Sequence, residues 1–216
     1  MRIGIDFDNT IACYDGVFHA AALERGLIPA DIGRDKNSVR DHLNGAGRED
    51  DFTELQGYIY GARMDLVAPY PGFAEFVATA RGAGHELFIV SHKTRHPILG
   101  PKHDMHAAAR GFLAARGLVG DGASQIDPAQ VFFELTKQDK VARAAALHCE
   151  IFVDDLPEIL AMPGFPDGMR RILFDPEGQF EDSSFHRSPS WAGITAELIT
   201  ADFTRADFTR ADLPRD

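Results

Sequence analysis

The sequence predicts an α/β fold, built on a mainly parallel, doubly wound sheet. Short apolar runs of strand length recur along the chain. Most are followed by a stretch whose apolar residues repeat at helical spacing. Strands that alternate with helices are typical of a parallel sheet covered by helices on both faces. The 216 residues are enough for one domain core with a modest insertion.

The composition narrows the class of protein. A formal net charge of −11 disfavours non-specific binding to nucleic acid or to anionic membranes. No segment has the length of a membrane-spanning helix, and the first strand begins close to Met1, so we expect no signal peptide. Two cysteines are too few for a disulfide framework. We therefore expect a cytoplasmic protein that has no membrane partner.

Five apolar runs have the character of buried strands, which read as continuous apolar sequence. They are residues 3–5, 87–90, 131–133, 151–153 and 172–174. Helical spacing is found near residues 17–26, 73–80, 105–118, 137–147 and 191–199. The helix at 137 is preceded by Thr136, which with Asp139 resembles a capping box.

Residues 31–67 contain short polar helices and no convincing strand. We expect them to belong to a small helical cap, residues 14–68, inserted after the first strand of a core formed by 1–13 and 69–180. A helical layer packed on the sheet is the alternative. We expect residues 181–216 to be a C-terminal extension, disordered in part. It ends in two A-D-F-T-R units at 201–210, too few to stack into a repeat fold.

Acidic residues follow the first and fourth of these strands. Asp6 and Asp8 come directly after the first, and Asp154 and Asp155 after the fourth. Ligand sites in open α/β sheets lie beyond the carboxyl ends of the strands. Neighbouring carboxylates repel each other unless a cation or a shared proton relieves them, and hard oxygen ligands suit Mg²⁺. The alternative is that these aspartates only cap a helix or turn.

Asp6, Asp8 and Thr10 form the pattern D-x-D-x-T, which is followed along the chain by Ser91, Lys137 and the Asp154 pair. This set resembles the haloacid dehalogenase superfamily of phosphohydrolases, from Met1 to about Phe174. The resemblance implies a Rossmann-like core. It also implies a Mg²⁺-dependent phosphatase that hydrolyses a small or medium phosphomonoester through an aspartyl-phosphate.

The resemblance also implies roles. Asp6 would be the nucleophile, and Asp8 the general acid that later activates water. Lys137 would neutralise charge on the phosphoryl group, with Lys140 one helical turn later as its alternative. Mg²⁺ would be held by Asp6, by the main-chain carbonyl of Asp8 and by Asp154. Asp155 would be a further ligand or would hold a metal-bound water.

Substrate contacts are expected from polar residues near the strand ends. Ser91 would donate to a phosphoryl oxygen, and Thr10 would order its loop through its hydroxyl or act as a helix N-cap. Residues 92–106 are the most cationic stretch of the chain, and His92, Lys93 and Arg95 are predicted to form an anion pocket. A solvated loop is one alternative. The other is a zinc site made by the histidines at 92, 96, 103 and 106.

Several functions are consistent with these residues. A phosphomutase would use the same residues, and a non-catalytic regulatory protein could keep the metal site. A nucleotide, a sugar phosphate or a nucleic-acid 3′-phosphate end would fit as substrate, although the negative charge disfavours long nucleic acid. The residues expected to read the substrate from the cap are Arg40, His42, Tyr58, Tyr60 and Arg63.

Overall fold

The computed structural model describes residues 1–200, which form a six-stranded parallel sheet with helices on both faces. The strands are β1 (Arg2–Ile5), β4 (Glu86–His92), β5 (Val131–Glu134), β6 (Ile151–Asp154), β7 (Arg170–Phe174) and β8 (His186–Ser188). Their order in the sheet is β5-β4-β1-β6-β7-β8, and every neighbouring pair is parallel. The predicted fold class is confirmed.

Strand β1 lies in the middle of the sheet, so both of its faces are covered. Ile3 and Ile5 are fully buried on one face, and Gly4 lies on the other, against Phe152 of β6. A Cβ atom on Gly4 would lie 2.5 Å from the Phe152 ring. Glycine is therefore the residue that lets the Phe152 ring pack against the backbone of β1.

Eight helices accompany the sheet in residues 1–200. They are α1 (Val17–Glu24), α2 (Lys36–Gly45), α3 (Glu49–Ala62), α4 (Phe73–Gly82), α5 (Met105–Ala115), α6 (Lys137–Ala146), α7 (Pro157–Leu160) and α8 (191–200). Helices α4, α5 and α8 bury apolar residues on the Ile3 face, and α6 and α7 on the Phe152 face. Thr136 caps α6 by accepting from the amide of Asp139, as the capping pattern predicts. None of the described helices is long and apolar enough to cross a membrane.

The segment that contains α1 to α3 begins and ends at neighbouring positions in the structure. Two short strands flank it, β2 (Ala12–Cys13) and β3 (Ala68–Pro69), and they pair antiparallel with each other. Sequence patterns did not predict this pairing, because two-residue strands leave no periodicity to read. The apolar residues of α2 and α3 belong to the same hydrophobic cluster as Ile3. The division into a core and a cap stays a prediction.

The sheet and its core continue past residue 180, where the C-terminal extension is predicted to begin. Strand β8 pairs with β7 and extends the sheet, and Trp191 at the start of α8 is fully buried. The indole ring packs against Phe73, Phe76 and Phe174, with ring centroids 4.6 to 5.4 Å apart. The helical spacing near 191–199 predicts this helix, and the structure has it at 191–200. The A-D-F-T-R units at 201–210 lie outside the described residues.

Candidate active site

Three central strands bring the acidic residues together. Strand β1 lies between β4 and β6, and the carboxyl ends of all three meet at one edge. Asp6 follows β1 and donates its amide to the carbonyl of Val153 at 2.9 Å, while Asp154 ends β6. One carboxylate oxygen from each of Asp6, Asp154 and Asp155 lies within 4.8 Å of the others. Residues 148 positions apart in sequence thus form one acidic cluster.

Burial makes the charge of this cluster costly. It raises the pKa of Asp154 to about 7, with the Asp6 charge adding to the shift and Lys140 opposing it. Burial, followed by the charges of Asp6 and Asp154, raises the pKa of Asp155 well above its usual range. One lysine against three carboxylates leaves an excess of negative charge, which a divalent cation would offset. A donor set made only of carboxylate oxygens fits a hard cation such as Mg²⁺.

The lysine that contacts this cluster is Lys140 and not Lys137. Its Nζ lies 2.5 Å from Asp6 Oδ1 and 2.6 Å from Asp154 Oδ2, and its side chain is buried. Burial alone would lower the pKa of Lys140, but the two carboxylates raise it above its usual value, so the ammonium is charged. Lys137 is the first residue of α6 and is exposed. Because the buried face of α6 begins at Lys140, only the later lysine reaches the carboxylates.

Asp8 lies beside the cluster and has its own partners. Lys93 Nζ donates to both carboxylate oxygens of Asp8, at 2.8 and 2.9 Å, and Tyr14 donates its hydroxyl at 2.6 Å. Lys93 is buried over the rings of Phe7 and Tyr60, 5.4 and 4.6 Å from their centroids. The side chain of Asp8 is therefore oriented by Lys93 and Tyr14 and is not one of the three clustered carboxylates. Sequence reasoning missed Tyr14, because nothing in the D-x-D-x-T pattern marks it.

Thr10 orders the loop through a different group from the one expected. It is fully buried, and its hydroxyl has no hydrogen-bond partner in the part of the chain that the structure describes. Its carbonyl accepts from the indole nitrogen of Trp191 at 2.9 Å. It is not a helix N-cap either, because α1 begins at Val17 after Gly16. The loop is therefore linked to Trp191 by a hydrogen bond from the indole side chain to the main chain.

Some residues of the cationic stretch 92–106 lie at the site, and others lie on the surface. Ser91 is buried at the end of β4, and Lys93 pairs with Asp8, as described. Burial lowers the pKa of the partly buried His92. The side chain of Arg95 is 64% exposed and pairs with Asp104, and its place in an anion pocket with Lys93 stays a prediction. Asp104 is the N-cap of α5, so the pair forms at the start of that helix.

The histidines of this stretch do not form a zinc site. His106 Nε2 contacts the carbonyl of Lys93 at 2.7 Å, and His96 Nδ1 contacts that of His103 at 3.0 Å. Within residues 1–200, the one group of three or more side chains that could hold a metal ion is Asp6, Asp154 and Asp155.

No family model matches the sequence, and no curated protein matches it. Solved structures do match. A predicted phosphatase from Clostridium acetobutylicum is 13% identical, with a TM-score of 0.59 over 92% of this chain and 98% of that one. A HAD family hydrolase from Deinococcus radiodurans, solved with bound phosphate and sodium, is 18% identical, with a TM-score of 0.55 over 93% and 96%.

The chain has the haloacid dehalogenase fold. A HAD-superfamily hydrolase from Ehrlichia chaffeensis gives the same result, at 15% identity and a TM-score of 0.52 over 92% of this chain and 96% of that one. The resemblance predicted from the D-x-D-x-T pattern and its companions is confirmed at the level of the fold.

Proposed function

We propose that this protein is a phosphatase of the haloacid dehalogenase superfamily, which hydrolyses a phosphomonoester through an aspartyl-phosphate on Asp6. The observation that supports it most is the convergence of Asp6, Asp154, Asp155 and Lys140 at the carboxyl edge of the sheet. Buried titratable groups that perturb one another at such an edge are typical of catalytic sites. The phosphate bound to the Deinococcus hydrolase is consistent with this reaction class.

The first half of the reaction would use Asp6, Lys140 and Asp8. A carboxylate oxygen of Asp6 attacks phosphorus, and the bond from phosphorus to the leaving oxygen breaks. Lys140 offsets negative charge on Asp6 and on the phosphoryl oxygens. Asp8, in its protonated form, donates a proton to the leaving oxygen.

In the second half, Asp8 would take a proton from water while the water oxygen attacks phosphorus. The bond from phosphorus to the Asp6 oxygen would then break, which releases phosphate and restores the Asp6 carboxylate. Lys93 donates to both carboxylate oxygens of Asp8 and so fixes their position. Tyr14 keeps the same carboxylate in one orientation. Ser91 keeps its predicted role as a hydrogen-bond donor to a phosphoryl oxygen. The main-chain carbonyl of Asp8 keeps its predicted role as a metal ligand.

Mg²⁺ is the proposed cofactor, held by Asp6, Asp154 and Asp155. When bound, it would supply positive charge against the carboxylates and the phosphoryl oxygens. The fit rests on the all-oxygen donor set and on the excess negative charge of the cluster.

Hydrolysis of p-nitrophenyl phosphate tests the proposal. We expect product release with MgCl₂, its loss with EDTA, and its recovery when excess MgCl₂ is restored. Asp6→Asn is expected to abolish turnover, while Asp121→Asn, at an exposed position, leaves it unchanged. Full activity in Asp6→Asn would reject the covalent mechanism. A need for added bisphosphate would favour the mutase, and the absence of turnover under every condition would favour a non-catalytic protein.

A further inference from the structure

A cleft of about 330 Å³ opens beside the acidic cluster. Asn9 and Asp155 line the end nearest the cluster, and Lys36 and Arg40 of α2 line the side formed by the inserted helices. Lys36 and Arg40 are four residues apart, so they project from the same face of α2. Asp6, Ser91 and Lys140 are not part of the lining. The cleft is therefore the space next to the reacting group, where the rest of a substrate would lie.

Lys36 is the cation of this cleft that is not committed to a carboxylate. Its Nζ donates to the hydroxyl of Tyr60 at 3.1 Å and lies 4.9 Å from the centre of the Phe18 ring. It makes no ion pair within residues 1–200. Burial lowers the pKa of Lys36, and the charges of Asp8 and Asp155 partly oppose that shift. A half-buried ammonium without an anionic partner has a desolvation cost that a bound anion would offset.

Two other cations near the site are buried and paired with carboxylates. Lys140 contacts Asp6 and Asp154, and Lys93 contacts Asp8. Arg40 pairs with its neighbour Asp41 at 2.9 Å, but it remains 44% exposed, and such surface pairs are weak. Arg40 is therefore free to turn toward a ligand that Lys36 already contacts.

Five carboxylates line the cleft, Asp155 among them, and three of the others are hydrogen-bonded or ion-paired. Asp35 caps α2 and accepts from the amide and hydroxyl of Ser38. Asp175 pairs with Arg187 at 3.0 Å and accepts two main-chain amides. Glu177 accepts from the side chain of Gln179, and Asp15 lies exposed at the rim. Of these contacts, the ion pair with Arg187 offsets a negative charge and so reduces the repulsion that an incoming anion would meet.

We propose that Lys36, with Arg40 beside it, binds a second anionic group on the leaving-group side of the substrate. The substrate would then be a phosphomonoester whose leaving group bears a carboxylate or a second phosphate. This inference rests on the proposed phosphatase function, and it assigns a substrate-binding role to a residue that the sequence patterns did not single out. A neutral polyol phosphate is the competing substrate class.

Two matched substrate pairs test this inference. The carboxylate pair is 3-phosphoglycerate against glycerol 3-phosphate, and the phosphate pair is fructose 1,6-bisphosphate against fructose 6-phosphate. The measured quantity is the ratio of kcat/KM values within each pair, for the wild type and for Lys36→Gln, Lys36→Arg and Lys102→Gln. Lys102 is exposed in the loop before α5 and is the control.

We expect the wild type to prefer the charged member of at least one pair. Lys36→Gln should reduce that preference about 10- to 100-fold, because a charge-assisted contact is lost. Lys36→Arg should retain part of the preference, and Lys102→Gln all of it. The pair that shows the effect identifies the anionic group as a carboxylate or a phosphate.

Three outcomes would contradict the inference. Equal kcat/KM values within both pairs, or a preference for the neutral members, would reject the anionic leaving group. A preference that survives in Lys36→Gln, or an equal loss for charged and neutral substrates, would show that Lys36 acts elsewhere, for instance on the transferred phosphoryl group. Hydrolysis of p-nitrophenyl phosphate by the wild type, measured in parallel, keeps these results distinct from a failure of the phosphatase proposal itself.

Discussion

At the scale of single residues, Lys140 is the cation that contacts two of the three clustered carboxylates. Its ammonium lies between the carboxylates of Asp6 and Asp154, where water cannot screen the repulsion between them. The same charge would face the phosphoryl group transferred to Asp6. Lys140 therefore supports both the resting arrangement of the site and the chemistry proposed for it.

Replacement of this lysine should remove activity selectively. We expect Lys140→Met to lower kcat for p-nitrophenyl phosphate about 10²- to 10³-fold, the effect typical of losing one preorganised electrostatic group. Lys137→Met, at the exposed first position of α6, should change kcat less than about twofold. Circular dichroism would check that both variants are folded. A larger loss in Lys137→Met than in Lys140→Met would return the role to the first lysine.

The sequence narrows such roles to a few candidates without choosing among them. Lys137 and Lys140 both follow the Thr136 cap, and the choice between them depends on where α6 meets the sheet. Asp6 and Asp154 were predictable because each follows a buried strand. Tyr14 and Lys36 were not, because their contacts with Asp8 and the cleft depend on tertiary packing.

At the scale of elements, the strands that the sequence predicts are the longer ones with apolar, buried residues. Five strands were predicted because each is buried in a parallel sheet and reads as a continuous apolar run. The two strands of the β2–β3 pair are two residues long, and β8 is a short edge strand of His-Arg-Ser. Such elements are specified by the neighbours they pair with, so local sequence carries little sign of them.

Helix α8 packs on the core through Trp191, Ile194 and Leu198, of which Trp191 is the largest. We expect Trp191→Ala to lower the free energy of unfolding by about 3 to 5 kcal/mol, because it leaves a cavity among three aromatic rings. Trp191→Phe should lose less, since it keeps a ring but not the donor to the carbonyl of Thr10. Urea unfolding measures both. Ile98→Ala, at a position 83% exposed, is the control and should change stability by less than about 0.5 kcal/mol.

At the scale of the whole molecule, part of the excess negative charge lies buried where the sheet ends. The chain has a formal net charge of −11, and three of its carboxylates lie within 4.8 Å of one another at the site. The raised pKa of Asp155 means that its ionisation is less favourable in the folded than in the unfolded protein. Its stabilising contribution is therefore present at low pH and is lost as the pH rises above the ordinary range of a carboxyl group. At neutral pH the fold bears this cost unless a cation binds.

Metal binding should therefore raise the stability of the whole chain. A ligand present at 100 times its Kd adds about 2.7 kcal/mol, which for a chain of this size corresponds to a rise in Tm of about 5 to 10 °C. We expect MgCl₂ to produce this rise, and NaCl of equal ionic strength to produce much less, because screening is weak at a buried site. Differential scanning calorimetry in EDTA and in saturating MgCl₂ makes the measurement independently of any activity.

The variant Asp155→Asn separates metal binding from general charge effects. It removes one ligand and one buried negative charge, so we expect a higher Tm than the wild type in EDTA and little further rise with MgCl₂. Asp121→Asn removes an exposed carboxylate and should retain the full response to MgCl₂. If Asp155→Asn and the wild type responded equally to MgCl₂, the ion would bind elsewhere. If Asp155→Asn were less stable than the wild type in EDTA, the carboxylates would not repel one another as their burial implies.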